Sequence, residues 1–395
     1  MNVLIVLHIG SDMSDGSVRS ALNLAYNLPG KNVTVLYREG IQIEFKVSNK
    51  KSSNVEFKKL KQSPLYNLKR RLSPYIRYLA SKFNMFFLYQ ILHWCELRSL
   101  RNLLLSESFE IIHFNQSVEE DFPFLLLAGH YSNAKIVQHY RACPSTKMVS
   151  KQHVEAISNL NIYNIFISNY LKRSWEKKFQ ELRLHFDVSL PNIKSFVMYN
   201  LIDFSESHYR FDVNRFSKKP YILYVGRLIR RKAPDLVVEA FSRTRFCNID
   251  GGNLIVVGRG DLESEIKKLA FTLDCVDSVL FIPESSDILQ LMANSKAVCL
   301  PNFSEPFGRT VAEAIITSAP IVASKTGANI ELLSEVSQSW LVEGKDPDLW
   351  AGAIDKAVDS DRVVLSPEEI SARVESELGI FQRRLGNIYD QVIVD

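Results

Sequence analysis

Cysteine is scarce and poorly placed for either of its structural uses. The five residues (Cys95, Cys143, Cys247, Cys275, Cys299) are odd in number and scattered, with no CxxC pair and no Cys/His ligand spacing. That speaks against a disulfide framework or a structural zinc site, and for a reducing compartment. Long apolar runs are missing too. The N-terminal VLIVLHIG is too short for a membrane span and lacks the basic flank and cleavage site of a secretory leader, so the expected location is cytoplasmic. There is no low-complexity tract and no exact internal repeat. The formal charge of +4 is too small to imply nucleic acid by itself, and no recognition module accompanies it.

The chain's 395 residues are 46% hydrophobic and 23% charged, an ordinary globular composition. That length exceeds what one core organises, so two domains are expected. The charge is unevenly spread. Between Lys46 and Arg101 stand thirteen Lys and Arg against only Glu56 and Glu96, which leaves the remainder net acidic.

Apolar patterning supports an α/β alternation that runs twice. The buried-type strand NVLIVLHIG is followed by the polar loop SDMSDGS, the helix VRSALNLAYNL and the strand NVTVLYR. Further strand-sized runs are FEIIHF, AKIVQHY, YNIFIS and SFVMYN. The alternation restarts at KKPYILYVGRL and continues through APDLVVEAFSRT, NLIVVGRG, LESEIKKLAFTL, VLFIPE, DILQLMANS, KAVCLPN and PIVAS. Two Rossmann-like doubly wound domains are therefore expected, 1–204 and 205–372, meeting in the aperiodic FSESHYRFDVNRFSKK. An amphipathic helix of about 373–395 is expected to pack back on the first.

Three stretches carry chemistry. In YVGRLIRRK, Gly226 ends a strand where α/β sheets bind ligands, and Arg227 and Lys232 are candidate diphosphate partners. Arg230 and Arg231 read as solvated neighbours, and a plain basic surface loop is the competing reading. VGRGD places Gly258 at a second strand end, a tight turn compatible with close approach of a nucleotide base but lacking the full dinucleotide fingerprint. SEPFGRTVAEA sets Glu305 and Glu313 eight apart around Pro306, Phe307 and Gly308, with a helix starting near Arg309. Its unpaired first-turn amides at the positive end of the helix dipole suit a diphosphate. The two carboxylates could take hydroxyls at opposite ends of one ligand, or be a helix-start acid and a solvated face residue. Acidic pairs of DxD form stand at Asp346/Asp348 and Asp359/Asp361, and KDPDLWAGAIDKA reads as a helix N-cap with acids in the first turn rather than as a metal site.

Together these segments resemble the retaining GT-B glycosyltransferases of the large Glu-x7-Glu family, the glycosyl transferases group 1 type. The likeness is ordered over VGRLIRRK, VVGRGDLESEIKKLA, VLFIPESSDILQLMANSKAVCLPN, SEPFGRTVAEAIITSAPIVAS and TGANIELL, and looser in the first domain. It implies a GT-B fold, two Rossmann-like domains facing a central cleft. Sugar would move, with retention and without a required cofactor or metal, from a nucleoside-diphosphate sugar to a glycan or lipid-linked glycan in bacterial-type surface polysaccharide biosynthesis. A UDP-sugar ranks ahead of a GDP-sugar. By resemblance, Arg227 and Lys232 stabilise the leaving diphosphate, Glu305 contacts donor-sugar hydroxyls and Glu313 holds the ribose. Phe307, Gly308, Arg309 and Thr310 present amides. Gly16 belongs to the first-domain glycine loop, and Asn200 and Asp203 to the linker motif.

The departures are Asp15-Gly16 for Gly-Gly, Leu201 for the linker glycine, and Ala233 and Ser318 where glycines are usual. The family's first-domain histidine falls, in KIVQHYRA, on either His139 or Arg141. The basic aromatic stretch 46–101 suits an anionic membrane surface or, alternatively, a helix pair with core aromatics; Pro64 and Pro74 break any single long helix. A GT-B nucleotide-sugar epimerase and a non-catalytic donor-binding subunit are the competing functions.

Overall fold

A computed structural model of the chain describes residues 1–7, 16–28, 30–38, 54–60, 94–115, 118–144, 160–186, 194–201, 218–283, 285 and 287–395. Asp15, Asp203, the linker 202–217 and most of the basic stretch lie outside the described residues.

The chain divides into two compact units, Met1–Leu201 with Gly379–Asp395, and Ile202–Leu378. In the first, seven strands run as β1 (Asn2–Val6), β2 (Asn32–Arg38), β3 (Val55–Leu60), β4 (Ile111–Phe114), β5 (Lys135–Tyr140), β6 (Ile162–Phe166) and β7 (Ser195–Val197). Their order is β3-β2-β1-β4-β5-β6-β7, with every pairing parallel. β1, β4 and β6 are near-continuous apolar runs because helices cover both faces of such a sheet. One core face packs Leu4, Val6, Ile112 and Phe114 against the helices Trp94–Ser106 and Val118–Tyr131.

β3 was hidden within the basic stretch. Val55–Leu60 pairs with β2 at the sheet edge, and Lys58 is ion-paired with Glu107. Leu97, Leu100 and Leu104 of the following helix are core residues. The described parts of 46–101 are thus sheet edge and core helix. Among the described residues no helix is long and apolar enough to cross a membrane.

The second unit repeats the plan with β8 (Tyr221–Val225), β9 (Asn253–Val257), β10 (Val279–Ile282), β11 (Ala297–Leu300), β12 (Ile321–Ser324) and β13 (Ser339–Val342), ordered β10-β9-β8-β11-β12-β13 and parallel. The strand order reverses beside β1 in one sheet and beside β8 in the other. Such switch points are where α/β sheets bind ligands, outside the carboxyl ends of the strands.

The last helix starts at Pro367, six residues earlier than its apolar period indicates. Ser366 explains this, since its hydroxyl accepts from the Glu369 amide (3.2 Å) while the Glu369 carboxylate accepts from the Ser366 amide (2.8 Å). This reciprocal capping box, with proline in the first turn, sets the start. Residues up to Leu378 belong to the second unit and those from Gly379 to the first.

Candidate active site

In the second unit the polar edge is assembled from three loops that hold one another. Gly226 and Arg227 follow β8, and the Gly226 amide donates to Val257 O (3.0 Å). The Leu228 amide donates to Arg259 O (2.9 Å), and the Leu262 amide returns to Leu228 O (3.0 Å). This lacing explains the VGRGD glycines. A Cβ on Gly258, where φ is +151°, would stand 1.9 Å from Gly226 O, and one on Gly260 would stand 2.3 Å from Leu228 O. The bare Cα of Gly258 thus admits the neighbouring loop. Tyr224, buried below, donates toward Arg227 O (3.2 Å) and Lys232 O (3.4 Å), tying down both ends of the basic segment.

The third loop follows β11. Ser324 Oγ donates to Asn302 O (2.7 Å), and the Ala328 amide donates to Glu305 O (3.0 Å). Gly327, at φ +61°, lets its bare Cα lie against the Glu305 backbone. With its main chain fixed, Glu305 directs its carboxylate to Lys232, Oε2 to Nζ 2.5 Å, and to Arg231, Oε2 to Nη1 3.1 Å. Lys232 and Glu305 side chains are each only 15% exposed, so this charge pair is largely withdrawn from water. Arg231 is therefore no bystander, because the turn Arg230–Lys232 brings two consecutive cations onto one carboxylate. Arg230 does lie at the surface, paired with Glu265. Arg227 is exposed at the strand end.

Beside Glu305 begins the helix Arg309–Ile316. Its N-cap is Gly308 at φ 79°, a left-handed conformation that glycine adopts without strain, and no side chain caps it. The first-turn amides, at Arg309 and Thr310 in particular, are thereby left as donors for an anion. Phe307 is buried beneath the loop and Pro306 is half-buried. Glu313, one turn into the helix, is 14% exposed at its side chain and lies 3.7 Å from Arg309. Asn329 holds Ser324 O (3.0 Å) and Ser324 Oγ (3.1 Å) with its amide nitrogen; a Cβ on Gly308 would meet its Oδ1 at 3.2 Å.

The first unit has its own polar cluster at the corresponding edge. Arg141, just past β5, donates through Nε to Asn115 Oδ1 (2.8 Å) and through Nη1 to Asn200 Oδ1 (2.5 Å). Ser20 Oγ, on the helix Gly16–Tyr26, reaches the same Asn200 oxygen at 3.2 Å. His139 lies one pleat deeper and is 1% exposed. Its Nδ1 is 3.3 Å from Arg141 Nη2 and 3.3 Å from His113 Nε2, and His113 Nδ1 is 2.5 Å from the Tyr389 hydroxyl. Burial first, then the Arg141 charge, pushes His113 down to about 3 and His139 well below its usual range. Both imidazoles are neutral.

Residues 205–373 match the family Glycosyl transferases group 1. Over this part the chain is similar to a group 1 glycosyltransferase domain. An uncharacterized glycosyltransferase of Haemophilus influenzae is 27% identical over 213 residues, 53% of this chain and 55% of that protein. The chain thus spans about half the length of that relative. Among solved structures, Anabaena HepE in complex with UDP and glucose aligns with a TM-score of 0.65 at 15% identity, covering 100% of this chain and 99% of that one. WaaG, a glycosyltransferase involved in lipopolysaccharide biosynthesis, aligns at 0.63 and 13% identity, covering 98% and 99%. The fold is GT-B.

Within residues 205–373, Gly226, Arg227, Lys232, Gly258 and the segment Glu305–Glu313 all belong to the laced loops or the helix they lead into. Gly16, Asn200, His139 and Arg141 lie in the other unit, Gly16 opening the helix that carries Ser20. Motif reading missed Arg231, Tyr224, Gly327 and Asn329. Of these only Gly327 had a local signal, as a glycine in TGANIELL. Asp346 caps the helix Pro347–Val358 by accepting from the Asp348 amide (3.0 Å), and Asp359, at that helix's C-terminal end, pairs with Arg245 at 2.5 Å.

Proposed function

We propose that this chain is a retaining glycosyltransferase. It moves a sugar from a nucleoside-diphosphate sugar, UDP ahead of GDP, to a glycan or lipid-linked glycan in surface polysaccharide biosynthesis. The observation that carries this reading is Glu305 ion-paired with Lys232 and Arg231 beside an uncapped helix start. Without a ligand, the two cations use the carboxylate as their counter-charge. A diphosphate brings a stronger anion to the same cations and to the amides of Arg309 and Thr310, which frees Glu305 to accept sugar hydroxyls. The exchange keeps charge balanced while a partly buried site changes occupant.

Departure of the diphosphate builds negative charge as the sugar becomes oxocarbenium-like. Lys232, Arg231, Arg227 and the helix amides stabilise that charge where it develops. Glu313, fifth in its helix, takes the ribose hydroxyls. In the first unit, Arg141 meets substrate, because His139 is buried and turned toward His113. The first unit is the acceptor-binding one, and the basic aromatic stretch 46–101 supplies contacts to an anionic membrane surface.

A thermal-shift panel of UDP-, GDP- and ADP-sugars tests the reading. One nucleotide class should raise the melting temperature, by about 2.7 kcal/mol of stabilisation at a hundred times Kd. No stabilisation by any of them refutes it. Donor turnover that ignores the acceptor would point instead to an epimerase.

A further inference from the structure

We propose that Tyr389, His113 and His139 form a buried hydrogen-bonded relay that positions Arg141, so that the last helix helps to set the first unit's substrate contact. The inference rests on the reading of Arg141 as that contact. Proton bookkeeping allows one arrangement. A guanidinium only donates, so His139 Nδ1 is an acceptor for Arg141 Nη2 and its ring proton sits on Nε2. His113 Nε2 faces that same Nδ1 at 3.3 Å and shares its single lone pair with Arg141 in a three-centre contact. His113 Nδ1 is then an acceptor and takes the Tyr389 hydroxyl proton at 2.5 Å. Direction therefore runs Tyr389 to His113 to His139, where it meets Arg141.

Nothing in this chain can turn freely. His113 and Tyr389 are fully buried and His139 is 1% exposed. The rings are in mutual contact, with centroids 5.3 Å apart for His113 and His139 and 5.9 Å for His113 and Tyr389. His139 Nε2 has no hydrogen-bond partner although it is buried. The amide oxygens of Asn115 and Asn200 fix the guanidinium laterally, and His139 supports it from beneath.

Steady-state transfer kinetics on four variants test the relay, with melting temperatures alongside. Arg141→Ala sets the full loss. His139→Leu, which removes the acceptor, should lower kcat about tenfold with KM for the nucleotide sugar changed less than about twofold. His139→Asn, whose amide oxygen can stand where Nδ1 stands, should recover most of it, and Tyr389→Phe should lose about threefold. Parent-level kcat in His139→Leu, or no recovery in His139→Asn at a parent-like melting temperature, overturns the relay. Should His139→Leu not fold, near-parent kcat in His139→Asn with the threefold loss in Tyr389→Phe, and 15N imidazole spectra showing Nε2–H on both rings, support the relay; parent-level kcat in Tyr389→Phe or an Nδ1–H His139 overturns it outright. A parent that turns over no nucleotide sugar overturns the transferase reading, and the spectra still decide the relay's geometry.

Discussion

In the second unit Lys232 meets a carboxylate 2.5 Å away, whereas in the first unit Arg141 is held by two amide oxygens and an imidazole. Both cations lie at the carboxyl edge of a parallel sheet with the same core strand order. One fold plan thus supports two ways of keeping a cation ready. A carboxylate partner is a counter-ion that a ligand anion can replace, so that site works by exchange. Amide and imidazole partners orient a guanidinium, so that site works by placement. The backbones differ in the same sense. All four non-glycine residues with positive φ among the described residues (Ala233, Asp274, Ser304, Ser318) are in the second unit, where tight loops bring sequence neighbours together.

The sharpest test of exchange is Glu305. Glu305→Gln removes the competing charge while keeping the side chain's shape. It should bind free UDP at least as tightly as the parent while sugar transfer falls by about 10²- to 10³-fold. Lys232→Ala should lose both. Calorimetric titration with UDP beside transfer assays separates the two outcomes. Equal weakening of UDP binding in both variants would mean that Glu305 serves only to hold the loop.

Loop crossing comes next. Gly258→Ala drives a Cβ to within 1.9 Å of a backbone oxygen at a φ of +151°, so urea unfolding should show a loss of roughly 3 kcal/mol. Gly251 is the control. Its φ is +65° but open space surrounds it, so Gly251→Ala should cost only about 1 kcal/mol. If the two cost the same, the lacing of the three loops contributes little to stability.

In the first unit the corresponding handle is pH. His113 titrates at 6.5 when unfolded and at about 3 when folded, and His139 shifts the same way. The folded state refuses protons that the unfolded chain accepts. Stability is therefore complete above pH 6.5 and is lost as pH falls below it, at about 1.4 kcal/mol per pH unit for His113 down to about 3, with His139 acting in the same direction. Guanidinium melts of the parent and of His113→Asn between pH 7 and 4.5 should diverge in slope by one proton. Parallel slopes would show that His113 is protonated inside the fold.

What could be read beforehand follows from how local each feature is. Strand-sized apolar runs revealed eleven of the thirteen described strands because burial on both faces demands them, and the short, half-buried SWLV of β13 passed unread. β3 escaped because an edge strand with Lys58 and Lys59 carries no apolar run. Glu305, Gly308 and Glu313 stand within one motif, so their chemistry shows in a short stretch. Arg231 looked solvated because its partner is 74 residues away. The relay was wholly illegible, since His113 and Tyr389 are 276 residues apart and meet only through the return of the last helix.

The smallest effect concerns two departures from the expected glycines, both of which fall on left-handed backbone. Ala233, at φ 42° and ψ 52°, joins the basic turn to the next helix, and Ser318 has φ 53°. An L side chain there costs about 1–2 kcal/mol, and glycine returns roughly 0.4–1 of that through the freedom of the unfolded chain. Ala233→Gly should thus raise stability by about 0.5–1 kcal/mol, seen as a higher melting temperature. Ser318→Gly should gain less, because its hydroxyl accepts from Arg373 Nη1 at 2.7 Å and that bond is lost. Equal gains would show that this exposed hydrogen bond contributes nothing. If Ala233→Gly stabilises but slows transfer, the strained turn is what holds Lys232 on Glu305, and the second unit then depends on placement as well as exchange.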